Sequence, residues 1–154
     1  MELNIIVGMT RDRVIGLEGK LPWHIPQDLR NFKRITLNNT VIMGKNTYLS
    51  IGKPLPERNN IVVSSSLQPQ QGIVIAKTIE EALEKAQSYD KEVFIIGGAQ
   101  IYNQTILMAN KMYISLIKKD YSGDTYFQEF KELEWKRKLI EDYLDFSLFL
   151  YTKP

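Results

Sequence analysis

The sequence predicts an α/β fold: one domain over residues 1–154, with a mostly parallel central sheet, an antiparallel C-terminal strand and helices on both faces. Three observations predict it. Short runs rich in valine and isoleucine recur along the chain, with helical patterns between them, the alternation expected of a parallel sheet. Many of these runs are continuously apolar, as strands covered on both faces require. At the C-terminus "WKRKLIEDY" and "FSLFLYT" are consecutive strand-like runs joined by "LD", which reads as a hairpin and supplies the antiparallel edge.

The predicted strands are "NIIVGM" (4–9), "TVIMG" (40–44), "NIVVSS" (60–65), "IVIA" (73–76), "VFIIGG" (93–98) and "MYISLI" (112–117), followed by the hairpin. Four helices fall between them. The first begins near Pro26, where a first-turn proline loses no hydrogen bond. Leu29, Phe32 and Ile35 mark its apolar face, and Arg30, Asn31, Lys33 and Arg34 take the other side. A second helix follows Gly44. The third, "TIEEALEKAQS", opens with Thr78 and carries Glu81 three residues later, a capping box. The fourth follows Gly97 and Gly98.

Composition narrows the function classes. Hydrophobic residues make up 44% and charged residues 25% of the 154, and the net charge is +2, an ordinary globular profile with no electrostatic case for nucleic acid. Cysteine is absent, which excludes disulfides and thiolate chemistry and fits the cytoplasm. The N-terminal "MELNIIVGMT" lacks the basic start and longer apolar region of a signal peptide. No apolar segment approaches the roughly 20 residues that span a bilayer. His24 is the single histidine, so no metal site is expected.

In such sheets ligands bind outside the carboxyl ends of the strands, where uncapped N–H groups favour anions. Three corners suit this. In "VIMGKNT", Gly44 allows close approach, Lys45 brings charge and Thr47 a hydroxyl. In "VFIIGGAQIY", paired glycines end a strand and lead into a helix. In "NIVVSSS", Ser64, Ser65 and Ser66 end a strand with hydroxyl donors. None is a GxxxxGK[ST] or GxGxxG motif, and a lone glycine after a strand is most often a turn. Together they suit a ligand with several phosphates.

Asp28 is the residue that needs an account. It lies four before Phe32 and seven before Ile35, on the apolar face of the first helix. Helix-dipole stabilisation in the first turn is one explanation. The other is a ligand, because a carboxylate on an apolar face loses hydration unless something pairs with it, and burial without a cation raises its pKa. Singly, Trp23 reads as core or pocket wall, His24 as exposed, Phe32 as a core aromatic, Arg58 as a solvated loop charge and Tyr102 as half-buried packing.

Taken in order, "DRVIGLEGKLPWHIPQDLRNFK", "VIMGKNTYLSIGKPLPERNNIVVSSS", "VFIIGGAQIY" and "YSGDTYF" resemble the bacterial dihydrofolate reductase family, from about Leu3 to Tyr151. The resemblance implies that family's fold. It also implies NADPH-dependent reduction of 7,8-dihydrofolate to 5,6,7,8-tetrahydrofolate, by hydride transfer to C6 and water-mediated protonation of N5, in support of one-carbon metabolism and thymidylate synthesis. Diaminopyrimidine or pteridine antifolates would be ligands, and a cytoplasmic monomer is the family expectation.

Residue by residue, Asp28 matches the carboxylate that grips the pteridine 2-amino group and N3. Trp23 matches the tryptophan that helps hold an ordered water. Ser115 matches the hydroxyl that bonds the aspartate, usually a threonine. Ile6, Val7, Leu29, Phe32, Ile51, Leu55 and Ile96 match apolar walls around the substrate, and Arg58 the partner of its α-carboxylate. On the cofactor side Gly8, Ile15, Gly16, Gly19 and Lys20 match positions bordering nicotinamide and its ribose. Gly44, Lys45, Asn46 and Thr47 match the first phosphate corner. Lys45 and Ser65, with Ser64 and Lys77, match the surroundings of the adenosine 2′-phosphate. Gly97, Gly98, Ala99, Gln100, Ile101 and Tyr102 match the second corner, where the Gly-Gly peptide is expected to be cis.

Four departures stand out. Lys45 replaces a common arginine, so a planar fork becomes a point charge. Gln100 stands where some members carry another arginine. Ala99 alternates with glycine in the family, and Tyr102 with phenylalanine, its extra hydroxyl being able to bond a neighbouring carbonyl.

Overall fold

The computed structural model describes residues 2–154. In chain order the elements are β1 (Leu3–Thr10), β2 (Val14–Gly16), α1 (Pro26–Thr36), β3 (Thr40–Gly44), α2 (Lys45–Ile51), β4 (Asn59–Val63), β5 (Val74–Ala76), α3 (Ile79–Gln87), β6 (Val93–Ile95), α4 (Ala99–Thr105), β7 (Lys111–Ile117), β8 (Thr125–Tyr126), a 3-10 turn (Glu132–Glu134), β9 (Lys136–Asp142) and β10 (Phe146–Thr152). Eight strands form one sheet in the order β5-β4-β3-β6-β1-β7-β10-β9. The first six in that order pair in parallel, and β10 runs antiparallel to both β7 and β9.

The unbroken apolar runs are explained by two buried faces. On β1, Leu3, Ile5, Val7 and Met9 point into a core shared with α3 and α4, through Ala82, Ala86, Ile101 and Ile106. Ile6 points the other way, into a core with Val41, Met43, Val62 and Phe94, covered by Phe32 and Ile35 of α1 and Tyr48 of α2. Ile42 and Val41, and Ile61 and Val62, divide between the faces in the same way. Successive strand side chains point to opposite faces, so every position is apolar where helices cover both.

Several local details differ from the sequence expectation. β6 ends at Ile95 rather than at the glycines, because Ile96, Gly97 and Gly98 leave the sheet to enter α4. β2 and β8 form a separate two-stranded sheet, too short for periodicity to announce. The α3 cap forms as expected on one side, with the Glu81 N–H donating to Thr78 Oγ1 (3.1 Å), but the Glu81 carboxylate accepts from the N–H of Lys77 (2.7 Å), not Thr78. Asn31, assigned above to the polar side of α1, is buried against the turn between β9 and β10, where the Tyr143 hydroxyl approaches it. Tyr102 is fully rather than half buried. Along β9 every residue is exposed, and a bulge interrupts its pairing with β10; with Lys136, Arg137 and Lys138 on it, this edge resists pairing with another strand.

Candidate active site

A cavity of about 760 Å³ is walled by β1, α1, the 15–23 segment, the β3–α2 and β6–α4 corners, β7 and β10. It draws Ile6, Val7, Gly8, Ile15, Gly16, Gly19, Lys20, Trp23, Asp28, Leu29, Phe32, Asn46, Thr47, Ile51, Ile96, Gly97, Gly98, Ala99, Tyr102 and Ser115 to one place. The volume is that of a site for a small organic ligand. Leu29 and Ile51 are apolar yet 50% and 36% exposed, because they open onto this cavity.

Asp28 lies over the paired strands β1 and β7. Gly8 and Ser115 are register partners there. Ser115 Oγ donates to Asp28 Oδ1 at 2.7 Å. A Cβ on Gly8 would stand 3.3 Å from Asp28 Oδ2 and 3.4 Å from Trp23 Cζ2, so glycine lets the carboxylate and the indole close over the strand. Burial raises the Asp28 pKa, and the Ser115 bond lowers it in part. No ion pair among the described residues involves Asp28. Trp23 is buried beside it, with no acceptor for its Nε1 among the described residues. The unpaired carboxylate inferred from spacing is therefore present as such.

The two glycine corners are physically one. The Gly44 N–H donates to the Gly97 carbonyl (2.8 Å). Thr47 Oγ1 would lie 3.3 Å and 3.5 Å from side chains on Gly97 and Gly98. The Gly97–Gly98 peptide is cis. Both α2 and α4 start without a side-chain cap, leaving first-turn N–H groups for a ligand. Tyr102, behind this corner, donates its hydroxyl to the Ile6 carbonyl (2.8 Å), and complete burial raises its pKa.

Residues expected at the cofactor's far end lie outside the cavity but share one edge. Gly44 pairs with Val63, and Val63 with Ala76, so Lys45, Ser64 and Lys77 succeed three adjacent strand ends. Lys45 Nζ and Ser66 Oγ are 3.0 Å apart. Ser65 and Gln100 are exposed. Ser64 is buried, and its Oγ accepts from the N–H groups of Ser66 and Leu67, which fixes its position and leaves its O–H to donate. Ile101 is a core residue packed under Gly44, so its side chain does not reach the cavity. Leu55 packs into the α1-side core. Arg58, also outside the cavity wall, is half-buried and anchored to the C-terminal residue of α1, donating from Nη1 to Thr36 Oγ1 (3.1 Å) and from Nε to the Pro56 carbonyl (2.9 Å).

Sequence reasoning missed Leu21, Asn31, Ile35, Ser50, Asp124, Thr125 and Leu148 as wall residues. Asp124 and Thr125 belong to the quoted "YSGDTYF", and their use is specific. Leu17 and Lys20 exchange backbone bonds of 2.8 and 3.0 Å around Glu18 (φ 50) and Gly19 (φ 81), a two-residue turn with both central φ angles positive. Asp124 Oδ2 accepts from the Glu18 N–H (3.0 Å), and the Asp124 N–H donates to the Gly16 carbonyl (3.0 Å). The Glu18 N–H and the Thr125 hydroxyl hold the Asp124 carboxyl below the usual range. Gly123 is required here, because a side chain would collide with Val14 and the Gly16 carbonyl.

Fold and cavity define an α/β protein that takes its ligands at the carboxyl ends of a largely parallel sheet. The sequence profile described as dihydrofolate reductase matches residues 2–144. The dihydrofolate reductase of Buchnera aphidicola is 46% identical over 132 residues, covering 85% of this chain and 81% of that one; the Bacillus subtilis enzyme is 41% identical over 135 residues, covering 87% and 80%. Among solved structures, dihydrofolate reductase from Enterococcus faecalis, complexed with NADP(H) and RAB-propyl, superposes with a TM-score of 0.87 at 32% identity, covering 99% of this chain and 96% of the other. The chain belongs to the dihydrofolate reductase family.

Proposed function

We propose that this chain reduces 7,8-dihydrofolate to 5,6,7,8-tetrahydrofolate with NADPH. The observation that carries the reading is the half-buried Asp28, without an ion-pair partner among the described residues, held by Ser115 and facing a cavity that continues to the joined glycine corners. A pterin offers N–H groups at its 2-amino nitrogen and N3, which satisfy such a carboxylate. The cofactor fits the donor chemistry of the opposite wall. Uncapped N–H groups at Lys45–Thr47 and Gly97–Ala99 suit pyrophosphate, and Lys45 with Lys77 suits a 2′-phosphate. When bound, NADPH supplies the hydride that adds to C6 of the substrate.

The protein's own residues do the remaining work. Asp28 orients the pterin and polarises it, while Ser115 and Gly8 fix where the carboxylate sits. Leu29, Phe32, Ile51 and Ile96 hold the ring system and the aminobenzoyl group by apolar contact. Arg58, fixed at the end of α1, receives the α-carboxylate, a partner suited to guanidinium geometry. The 16–21 turn, tied by Asp124, excludes bulk water from the reacting faces. Water beside Trp23 brings the proton to N5. The chain acts as one domain, a reading supported by the continuous eight-stranded sheet, and as a cytoplasmic monomer, a reading supported by the family resemblance. Among the described residues no helix is long and apolar enough to cross a membrane.

The test is loss of NADPH absorbance by the purified protein with and without dihydrofolate. Dihydrofolate-dependent oxidation is expected. Oxidation that ignores dihydrofolate but follows another reduced pterin or a riboflavin precursor, or NADPH binding with no oxidation at all, would overturn the reading. For Arg58→Leu, the KM for dihydrofolate should rise far more than that for NADPH.

A further inference from the structure

The flank of Asp28 holds a donor that the mechanism above leaves unused. Asn31 lies one turn beyond Asp28 on α1, is 2% exposed, and contributes to the cavity wall. Its amide orientation is set by two guanidinium groups, which can only donate. Arg30 Nη2 donates to Gln27 Oε1 (2.8 Å), which turns Gln27 Nε2 onto Asn31 Oδ1 (3.0 Å); Arg34 Nη2 donates to the same oxygen (3.2 Å). The Tyr143 hydroxyl approaches it at 3.5 Å. A guanidinium has no acceptor, so reversing the amide would set N–H against N–H. Asn31 Nδ2 is thereby left buried, with no acceptor among the described residues.

Ser115 and Leu148, register partners on β7 and β10, line the same cavity as Asn31. Ser115 already holds Asp28 Oδ1. A buried N–H without an acceptor is costly, and buried polar groups are almost always paired, with protein or with ordered water. An oxygen in the cavity would accept from Asn31 and carry hydrogens of its own to offer.

We propose that Asn31 is a positioning residue for this reaction, its Nδ2 holding an ordered water that donates to the Asp28 carboxylate. The inference rests on the dihydrofolate reading of the cavity. The water is a second donor to Asp28 beside Ser115, and it keeps the carboxylate charged and aimed at the pterin N–H groups. Of the groups facing the pair, Arg34 on α1 carries charge and Tyr143 on the β9–β10 turn brings a phenol hydroxyl; Ser115 on β7 and Gly8 on β1 carry no charge.

Two variants separate this role from a structural one. Asn31→Asp keeps an oxygen for Gln27, Arg34 and Tyr143 and removes the N–H; Asn31→Leu removes both. In each, the KM for dihydrofolate should rise about fivefold and the KM for NADPH should stay at the parent value; in Asn31→Leu, which adds no charge beside Asp28, the acid limb of kcat/KM should move up by roughly half a pH unit. A high-resolution crystal structure of the parent should show water within hydrogen-bond distance of Nδ2, and that of Asn31→Leu should not. A folded variant of either kind with the parent's pH profile and KM overturns the proposal, as does a lowered melting temperature as the only effect, or a parent crystal with nothing on Nδ2. A parent that ignores dihydrofolate, or an Asp28→Asn protein of full activity, sinks the functional reading and this inference with it. A parent that passes both checks while the Asn31 variants match it sinks this inference alone.

Discussion

Two aspartates line the same cavity and are driven in opposite directions. Asp28 is half-buried, accepts one side-chain bond from Ser115, and has its pKa raised by loss of water. Asp124 is exposed, accepts from the Glu18 N–H and the Thr125 hydroxyl, and has its pKa lowered by those bonds. The difference is one of supply. Asp124 receives its donors from the protein and serves as a tie between the turn at Glu18 and the β8 loop. Asp28 is given a single protein donor among the described residues, which leaves it available to water and to a ligand. A carboxylate's use here is set by how many donors the fold spends on it.

The largest effect should come from removing the short-supplied group. Asp28→Asn should lower kcat/KM for dihydrofolate at pH 7 by about a hundredfold or more. The deficit should narrow at low pH, where substrate arrives already protonated. Near-parent turnover at pH 7 would break the comparison at once. Next comes the tie. Asp124→Ala frees the Glu18 N–H, and the turn then closes less completely over the cavity. Steady-state turnover should fall about tenfold, by the loss of two hydrogen bonds, while the melting temperature moves little because those groups are exposed. A pH profile shifted like that of an Asp28 or Ser115 variant would mean that Asp124 acts on the chemistry and not on closure.

How much of this was legible in the sequence differs between the two aspartates. Asp28 announced itself because helical spacing sets a charge among Leu29, Phe32 and Ile35, a conflict that local reasoning detects. Asp124 did not, because its partners Glu18 and Gly16 lie more than a hundred residues away and no periodicity links a turn to a distant loop. The sheet was legible because two buried faces force continuous apolar strands. The β2–β8 pair was not, being two or three residues long and held by Gly123's lack of a side chain. Asn31 was misplaced for a related reason. Its neighbours Arg30 and Arg34 read as a solvated face, and only the turn between β9 and β10, closing over α1, buries it.

Ser115 sharpens the comparison at smaller scale. Ser115→Ala removes the one protein donor to Asp28 among the described residues. The acid limb of kcat/KM should move up by roughly half a pH unit and turnover at pH 7 should fall a few-fold. Ser115→Thr, which keeps the hydroxyl, should restore both; failure of threonine to do so would show that packing against Leu148, not the hydrogen bond, sets the effect.

The smallest effect is one of stability, and its sign follows from the supply argument. The folded-state pKa of Asp28 lies above its unfolded value, so the folded state binds this proton more tightly. The group's contribution is therefore fully present below the ordinary carboxylate pKa and is lost as pH rises through the raised value. Above the raised value the ligand-free parent carries a half-buried charge with one protein donor among the described residues, and Asp28→Asn removes it. The variant's ligand-free form should melt about 2–4 °C higher than the parent at pH 7, with the gap closing as the pH falls below the ordinary carboxylate range, where the parent is neutral too. Saturating NADPH and a pterin ligand should reverse the order, because only the parent gains the bonds to the carboxylate. A variant that melts lower than the parent at pH 7 without ligand would mean that the fold does supply Asp28 with enough donors, and that the contrast with Asp124 is one of exposure alone.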